Sequence, residues 1–498
     1  MRPILLLLMC LILNPLFGQV LNSPPNSCTI PLKLDLNIPF YHDNIDARSS
    51  LEIHPELAER FQTILDSCAS ETGAIGLSAS VNIPDGIWNG VNGEASVKRA
   101  LEVTDIFGIG SVTKTITSAA IFKLQEANVL TLDDAVIDWI PNIGDYTFID
   151  PNAKIYQLLQ HTSGIFDYTT HPSYGDSIYG GDFTRIWTPT EVLEKFLEEP
   201  TFITGQSWGY SNTNYLLLGL IIESASGQAY HEFVRSEILE PNGLTGIRLF
   251  PYEQISSEYA HIYVDLMNDG TMDDIDAAGI NYEAIFSSAW AAGAYTASAE
   301  DITTFAKLLY SGQILNEDSM DQLYGEYPLG NSTGYGMGVI IYSDAEGNPY
   351  LYGHNGAIFY SSNVYYFPAK DLSISLLANS NNVNSNITVP YLLEMIQSCI
   401  DFVPSTTNTE DVLILDDIKV MPNPASDFMK INYTLERNTD LDIFVTDATG
   451  RVVSRISSGK HFTGTNEINW TGVSELADGI YFMEFVGEGF LRTKVFVK

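Results

Sequence analysis

The chain has 498 residues, with 24 Lys and Arg against 62 Asp and Glu, a formal charge of −38. That acidity excludes nucleic acid and anionic membranes as partners, because phosphate recognition needs a basic footprint. With 45% hydrophobic and only 17% charged residues the chain can bury a large core. A disordered acidic polymer is therefore excluded, and the length calls for more than one domain, since single cores seldom grow past ~300 residues.

Arg2, the apolar run Ile4 to Leu13, then Asn14, Pro15 and Gly18 before Gln19 have the order of a secretory signal peptide over residues 1–18. The run is shorter than the ~20 residues that span a bilayer, and Pro15 interrupts it. No later segment is long and apolar enough, so no integral membrane segment is expected in the mature protein. Residues 19–50 are rich in Pro and Asn and read as a lead-in.

Leu57, Phe61, Ile64 and Leu65 follow helical spacing within His54 to Ala69. Ile75 to Ile83 and Ile87 to Val91 read as strands joined by a hairpin at Pro84-Asp85-Gly86. A mainly helical stretch runs to about Ser311. Strands return at Tyr335 to Tyr342, Pro349 to Tyr352, Asn363 to Phe367 and Leu372 to Ala378, and Tyr391 to Ile400 is a last helix. The expected fold is α+β: an antiparallel sheet assembled from both ends of a domain over 51–402, with helices on both faces and a mainly helical insert. Residues 403–415 read as a linker. Beyond it, Ile431, Tyr433, Leu435 and then Leu441, Ile443, Val445 alternate with polar residues, as in a small all-β sandwich over 416–498. Three cysteines follow the signal peptide. Cys68 closes the first helix and Cys399 the last, and these two are expected to pair, leaving Cys28. No CxxC or HExxH occurs and the His residues are scattered, so neither a metal nor a cofactor is expected.

Chemistry is concentrated in Phe107-Gly-Ile-Gly-Ser111-Val-Thr-Lys114. Val112, Ile116, Ala119, Ala120 and Leu124 repeat at helical spacing, so Ser111 and Lys114 share one face of a helix that starts near Ser111. A serine hydroxyl needs a base, and a lysine is one only when neutral, which burial promotes. Ser-x-x-Lys recurs at Ser457, in the β-sandwich, where no helix supports it. Two further motifs add to Ser111: Tyr210-Ser-Asn212, the only Tyr-x-Asn, and His354-Asn355-Gly356, the only His-x-Gly. Together they supply a nucleophile, two candidate bases, an amide, and a glycine where backbone must approach a substrate.

On these motifs, and on Gln157-Leu-Leu-Gln-His161-Thr-Ser-Gly164 and Ala291-Ala-Gly-Ala-Tyr-Thr-Ala-Ser-Ala-Glu-Asp301, residues 51–402 resemble the serine β-lactamase and D-alanyl-D-alanine peptidase superfamily in its class C-like branch. The resemblance implies a serine hydrolase. Ser111 would be the nucleophile, with Lys114 and Tyr210 moving protons. Asn212, His354, Asn355, Gly356 and Ala357 would bind substrate, with the backbone N–H groups of Ser111 and Ala357 as oxyanion hole. Acyl transfer from a D-amino-acid peptide, a β-lactam or a small ester is implied. His354 stands where β-lactamases of this branch carry Lys, which favours peptidase, aminopeptidase and esterase members. The other functional class is a non-catalytic peptidoglycan- or peptide-binding protein on the same scaffold.

Gly205-Gln-Ser207-Trp-Gly209 and Gly330-Asn-Ser332-Thr-Gly334 match a nucleophile elbow, but no buried strand precedes Ser207, which is read as part of the loop presenting Tyr210. His161 is read as packing a turn. The acidic run Asp265 to Asp276 is read as a solvated loop, because Met267 occupies a would-be calcium ligand position. Met421-Pro-Asn-Pro-Ala425, Asp447-Ala-Thr-Gly-Arg451, Leu476-Ala-Asp-Gly-Ile-Tyr481 and Lys494-Val-Phe-Val-Lys498 are similar to the C-terminal sorting domain of the type IX secretion system. That similarity implies the secretion machinery as a partner, transit through the periplasm, and a secreted or cell-surface location.

Overall fold

The computed structural model describes residues 53–402 and 415–498, apart from 256–257, 266–268, 331, 345–346, 384, 422–424, 426, 436–437, 448–451, 477–479 and 488–489. The signal peptide, the lead-in, Cys28 and nearly all of the linker expected from the sequence lie outside the described residues. Among the described residues the chain divides into two compact units, one through Ser398 and one from Cys399 onward.

The first unit opens with helix α1 (Pro55–Thr72). Pro55 sits in its first turn, His54 Nδ1 accepts the Glu56 N–H, and Gly73 ends it at φ 65°. Strands β1 (Gly76–Ile83) and β2 (Gly86–Ser96) form the expected hairpin, and β3 (Arg99–Ala100) adds an edge. Far along the chain come β4 (Tyr327–Gly330), β5 (Thr333–Tyr335), β6 (Ile340–Ser343), β7 (Pro349–Ile358), β8 (Tyr360–Phe367) and β9 (Leu372–Ala378). The nine strands form one sheet in the order β3-β2-β1-β9-β8-β7-β6-β5-β4, with every pairing antiparallel. The sheet is thus closed by pairing its first hairpin with its last strand, Val81 opposite Ile374.

Successive residues of a strand point to opposite faces. Trp88 on β2 packs its ring 5.3 Å from Phe61 of α1, whereas its neighbour Asn89 donates to Glu300 on helix α4 (Ala299–Tyr310). On β9, Ser373 and Ser375 bond to backbone of α4, while on β8 Asn363 donates to Thr388 of helix α5 (Ser385–Asp401). Helices therefore cover both faces, and this is why β1, β8 and β9 are buried almost throughout. Between β3 and β4, helices α2 (Thr113–Glu126) and α3 (Asn212–Ser226) lie at the heart of a mainly helical section, each buried along nearly its whole length.

The second unit pairs 415–421, 429–435 and 464–470 in one sheet, and 452–457, 439–447, 480–487 and 490–497 in another, with 460–461 added to 439–447. Met429, Ile431, Tyr433 and Leu435 from the first share a core with Leu441, Ile443, Val445, Met483 and Phe485 from the second. This is the α+β domain followed by an all-β sandwich that the sequence implied.

Some details differ. The stretch expected as one strand over 335–342 is two, because Gly338 at φ 86° turns the chain between β5 and β6. The strand expected to end at Tyr352 continues to Ile358 and carries the His354 motif. The expected disulfide is corrected: Cys68 and Cys399 are both free, buried thiols. Each is packed within its own helix, and burial pushes the Cys68 thiol up to about 12. Ser457 ends a strand, and its hydroxyl meets His461 Nε2 at 3.0 Å, a contact that Ser-x-x-Lys spacing does not announce. No helix among the described residues is long and apolar enough to cross a membrane.

Candidate active site

The chain enters α2 through a tight bend. Phe107–Gly108 pairs with 295–297, and the Ile109 N–H donates to Tyr295 O at 3.0 Å. Gly110, at φ 51°, then turns it into a short 3-10 segment over Gly110–Val112 that leads into α2. A Cβ on Gly110 would lie 2.6 Å from Ala357 N, so this bend and the end of β7 are in direct backbone contact. Ser362 Oγ secures the bend from β8 by donating to Ile109 O at 2.7 Å.

Ser111 and Lys114 are both buried on the same face, with Lys114 Nζ 3.1 Å from Ser111 Oγ. Lys114 Nζ also reaches Asn212 Oδ1 at 2.7 Å and Ala292 O at 2.8 Å, and it lies 4.9 Å from the centre of the Tyr210 ring. Tyr210 Oη donates to Ser111 Oγ at 2.9 Å. Burial lowers the Lys114 ammonium to about 7, against the opposing pull of Asp167. Burial likewise drives the Tyr210 phenol well above its usual range, although its bond to Ser111 opposes this. The amine is therefore the group poised to give up its proton near pH 7, whereas the phenol keeps its own.

Tyr210 is held by a loop folded onto it. His161, at φ 61°, accepts the Gly209 N–H on its carbonyl and the Ser211 N–H on Nδ1 at 3.2 Å. Its ring lies 4.3 Å from that of Tyr210. Burial, and then the nearby Lys114 charge, keep this imidazole neutral. Ser207 lies upstream in the same loop, with no strand before it.

Sequence reasoning placed Ser111, Lys114, Tyr210 and Asn212 together, and the geometry gathers all four. The β7 residues divide. Gly356 presses on the bend: a Cβ there would lie 2.1 Å from Ile109 O and 2.9 Å from Ser111 N. Ala357 lines the cavity beside Ser111. His354 shares the Gly356 face, but its ring is fully occupied. Nδ1 donates to Asn355 O at 2.6 Å, which leaves Nε2 to accept from Tyr335 Oη at 3.0 Å. Burial and then the Lys114 charge lower this imidazole to about 3. Asn355 pairs with Asn363, whose side chain meets α5, so its own side chain faces away from Ser111.

The cavity beside Ser111 is small, with about 20 Å³ of water-sized space, and opens to solvent. Tyr168, Tyr174, Ile285, Ala289 and Ile358 form much of its wall, and among the described residues no Lys, Arg, Asp or Glu side chain contributes. Three participants were not found from sequence: the Ala292 carbonyl, Tyr335 and Asp167. Asp167 lies in the segment that begins at His161, so its proximity to a motif was the one available signal.

Residues 61–392 match the family model described as Beta-lactamase, and residues 419–498 match that of the secretion system C-terminal sorting domain. Penicillin-binding protein 4* of Bacillus subtilis (strain 168) is 27% identical over 263 residues, which are 51% of this chain and 56% of that protein. The chain thus spans about half the length of the curated relatives it matches. A D-stereospecific amidohydrolase from Streptomyces sp. superposes with a TM-score of 0.59 at 26% identity, over 67% of this chain and 97% of that one. The D-amino acid amidase from Ochrobactrum anthropi SV3, at 23% identity and a TM-score of 0.57 over 69% and 97%, shares the fold.

Proposed function

The chain belongs to the beta-lactamase family and carries a C-terminal sorting domain that marks it as secreted or cell-surface, and on that premise we propose that it is a serine hydrolase working through an acyl-serine intermediate. The observation that carries the reading is the hydrogen-bond count at Lys114. A neutral amine has two N–H donors and one lone pair. Asn212 Oδ1 and Ala292 O take the two donors, so the lone pair is left for the Ser111 hydroxyl at 3.1 Å. Ser111 donates its proton to Lys114 as Oγ attacks the substrate carbonyl. The oxyanion forms beside the backbone N–H groups of Ser111 and Ala357. Tyr210 Oη–H, 2.9 Å from Oγ, supplies the proton to the leaving group, and the proton held on Lys114 replaces it. Water then attacks the ester with Tyr210 and Lys114 in reversed roles.

The substrate class proposed is an amide or ester of a D-amino acid that bears no carboxylate on its leaving side. His354 is neutral and occupied, and among the described residues no cationic side chain lines the cavity to anchor a substrate carboxylate. The tyrosine and isoleucine wall suits an apolar acyl side chain. The likeness to a D-stereospecific amidohydrolase supports the amide. The route to the surface is proposed to run through the periplasm, with the C-terminal domain engaging the secretion machinery.

The test is a panel on the purified protein: D- and L-amino-acid amides, p-nitrophenyl esters, D-Ala-D-Ala peptides and nitrocefin. Turnover of D-amino-acid amides and esters above the carboxylate-bearing substrates is expected. Ser111→Ala should abolish it and Ser207→Ala should retain it. Loss of turnover in the Ser207 variant alone would overturn the assignment, and a wild-type protein unlabelled at Ser111 by a fluorophosphonate would support a binding protein instead.

A further inference from the structure

A carboxylate stands behind Asn212, the amide that accepts from Lys114, and the mechanism above makes no direct use of it. Asp167 is 5% exposed. It lies 45 residues from Asn212, whose Nδ2 donates to its Oδ2 at 3.1 Å and approaches Oδ1 at 3.3 Å. The Thr169 N–H and Oγ1–H also donate to Oδ1, at 3.1 and 3.0 Å. The loop carrying Asp167 is tied to α3 on either side of it. Thr213 Oγ1 donates to Phe166 O at 2.6 Å, and the Tyr168 N–H donates to Thr213 Oγ1 at 3.1 Å. These bonds fix the carboxylate against the far side of the Asn212 amide.

Burial pushes the Asp167 carboxyl above the usual carboxylate range, and the hydrogen bonds from Thr169 and Asn212 and the Lys114 charge pull it back; in its ionised form it only accepts hydrogen bonds. It therefore selects one of the two orientations open to the Asn212 amide, with Nδ2 toward Asp167 and Oδ1 toward Lys114. That orientation consumes one Lys114 N–H and directs the amine lone pair at Ser111. The other orientation would set an N–H donor against Lys114 and the amide oxygen against a carboxylate.

The groups around Lys114 leave Asp167 electrostatically alone. Tyr210 and Tyr215 face the Lys114 amine with their rings, whose centres lie 4.9 and 5.4 Å from Nζ. Both phenols are held protonated by burial. His161 and His354 face it as well, and both are held neutral. Asp167 is the one acid among the described residues whose charge bears on the amine.

We infer that Asp167 is a positioning residue of this site: through Asn212 it aims the Lys114 lone pair at Ser111, and its charge sets the pH at which that lone pair becomes available. The inference rests on the hydrolase reading for its kinetic consequence, but not for its effect on Lys114 itself. Removing the charge leaves the burial of Lys114 unopposed, so the amine gives up its proton at lower pH.

The experiment follows the pH dependence of Ser111 labelling by a fluorophosphonate in wild type, Asp167→Asn, Asp167→Glu and Thr169→Val. In parallel, 13C-lysine NMR titration of the same proteins reads Lys114 without turnover, assigned by its loss in Lys114→Met. Wild type should show an acid limb near pH 7 by both measurements. In Asp167→Asn the midpoint should move down by roughly one pH unit, with labelling at the optimum reduced roughly tenfold as the amide loses its fixed orientation. Asp167→Glu should keep the midpoint near wild type. Thr169→Val removes one donor holding the carboxylate ionised, and should move it in the same direction by less, which serves should Asp167→Asn not fold. An unmoved NMR midpoint in Asp167→Asn or, if that variant does not fold, in Thr169→Val would overturn the inference and leave Asp167 a packing role. Absence of labelling in wild type with the NMR shift intact would sink the hydrolase reading and spare the inference.

Discussion

Gly356→Ala probes the contact between the bend before α2 and the end of β7, beside which the oxyanion is proposed to form. The added methyl carbon would lie 2.1 Å from Ile109 O, 2.6 Å from Ser362 Oγ and 2.9 Å from Ser111 N. Two of the three are backbone atoms, and Ser362 is itself pinned to Ile109 O, so no flexible side chain can yield. Against a closest tolerated approach of 3.0 Å, the bend before α2 and the end of β7 must part by about 0.9 Å. Overpacking of this kind costs about 1–3 kcal/mol of stability. The same movement separates the Ser111 and Ala357 N–H groups, and losing one such donor lowers kcat by roughly 10²–10³. Hydrolysis of a p-nitrophenyl ester, measured beside a thermal melt, should show a folded protein with a lowered melting temperature and a collapsed kcat. A variant with wild-type kcat and an unmoved melt would refute the claim that this close approach builds the oxyanion site.

Two further outcomes follow from the same geometry. Tyr210→Phe removes an O–H that donates to Ser111 Oγ while keeping the ring packed on His161, so kcat should fall by roughly 10²–10⁴ with little change in KM; a wild-type kcat would remove Tyr210 from the proton path. Deleting residues 416–498 should leave the hydrolase retained in the periplasm, measured by activity in fractionated cells, and unchanged release to the medium would argue against the sorting role.

Local signals carried much of the fold and part of the site. Alternation and turn residues marked the β1–β2 hairpin and β9, and spacing put Ser111 and Lys114 on one helical face because only three residues separate them. Periodicity fails where a strand carries function. β7 continues through His354 to Ile358, but Gly353, Asn355 and Gly356 interrupt its hydrophobic pattern, so the strand was expected to stop at Tyr352. Once the strand includes them, alternation alone divides His354, on the Gly356 face, from Asn355, on the opposite one. The Cys68–Cys399 pairing failed for a related reason. Position at helix ends says nothing about the distance or direction between two side chains, on which a disulfide depends.

Asp167 was illegible for a deeper reason. A single acid with no periodic neighbours looks the same in sequence whether it faces solvent or an amide brought to it from 45 residues away. The structure gives it meaning through what it constrains. A lysine buried beside a serine is a base only if its protons have somewhere else to point, and two acceptors, Ala292 O and Asn212 Oδ1, are needed for that. The first is a carbonyl and cannot be misoriented. The second belongs to a symmetric-looking amide and can. The site therefore requires an acceptor-only group behind Asn212, and a carboxylate sheltered from solvent and held by Thr169 meets that requirement with one residue.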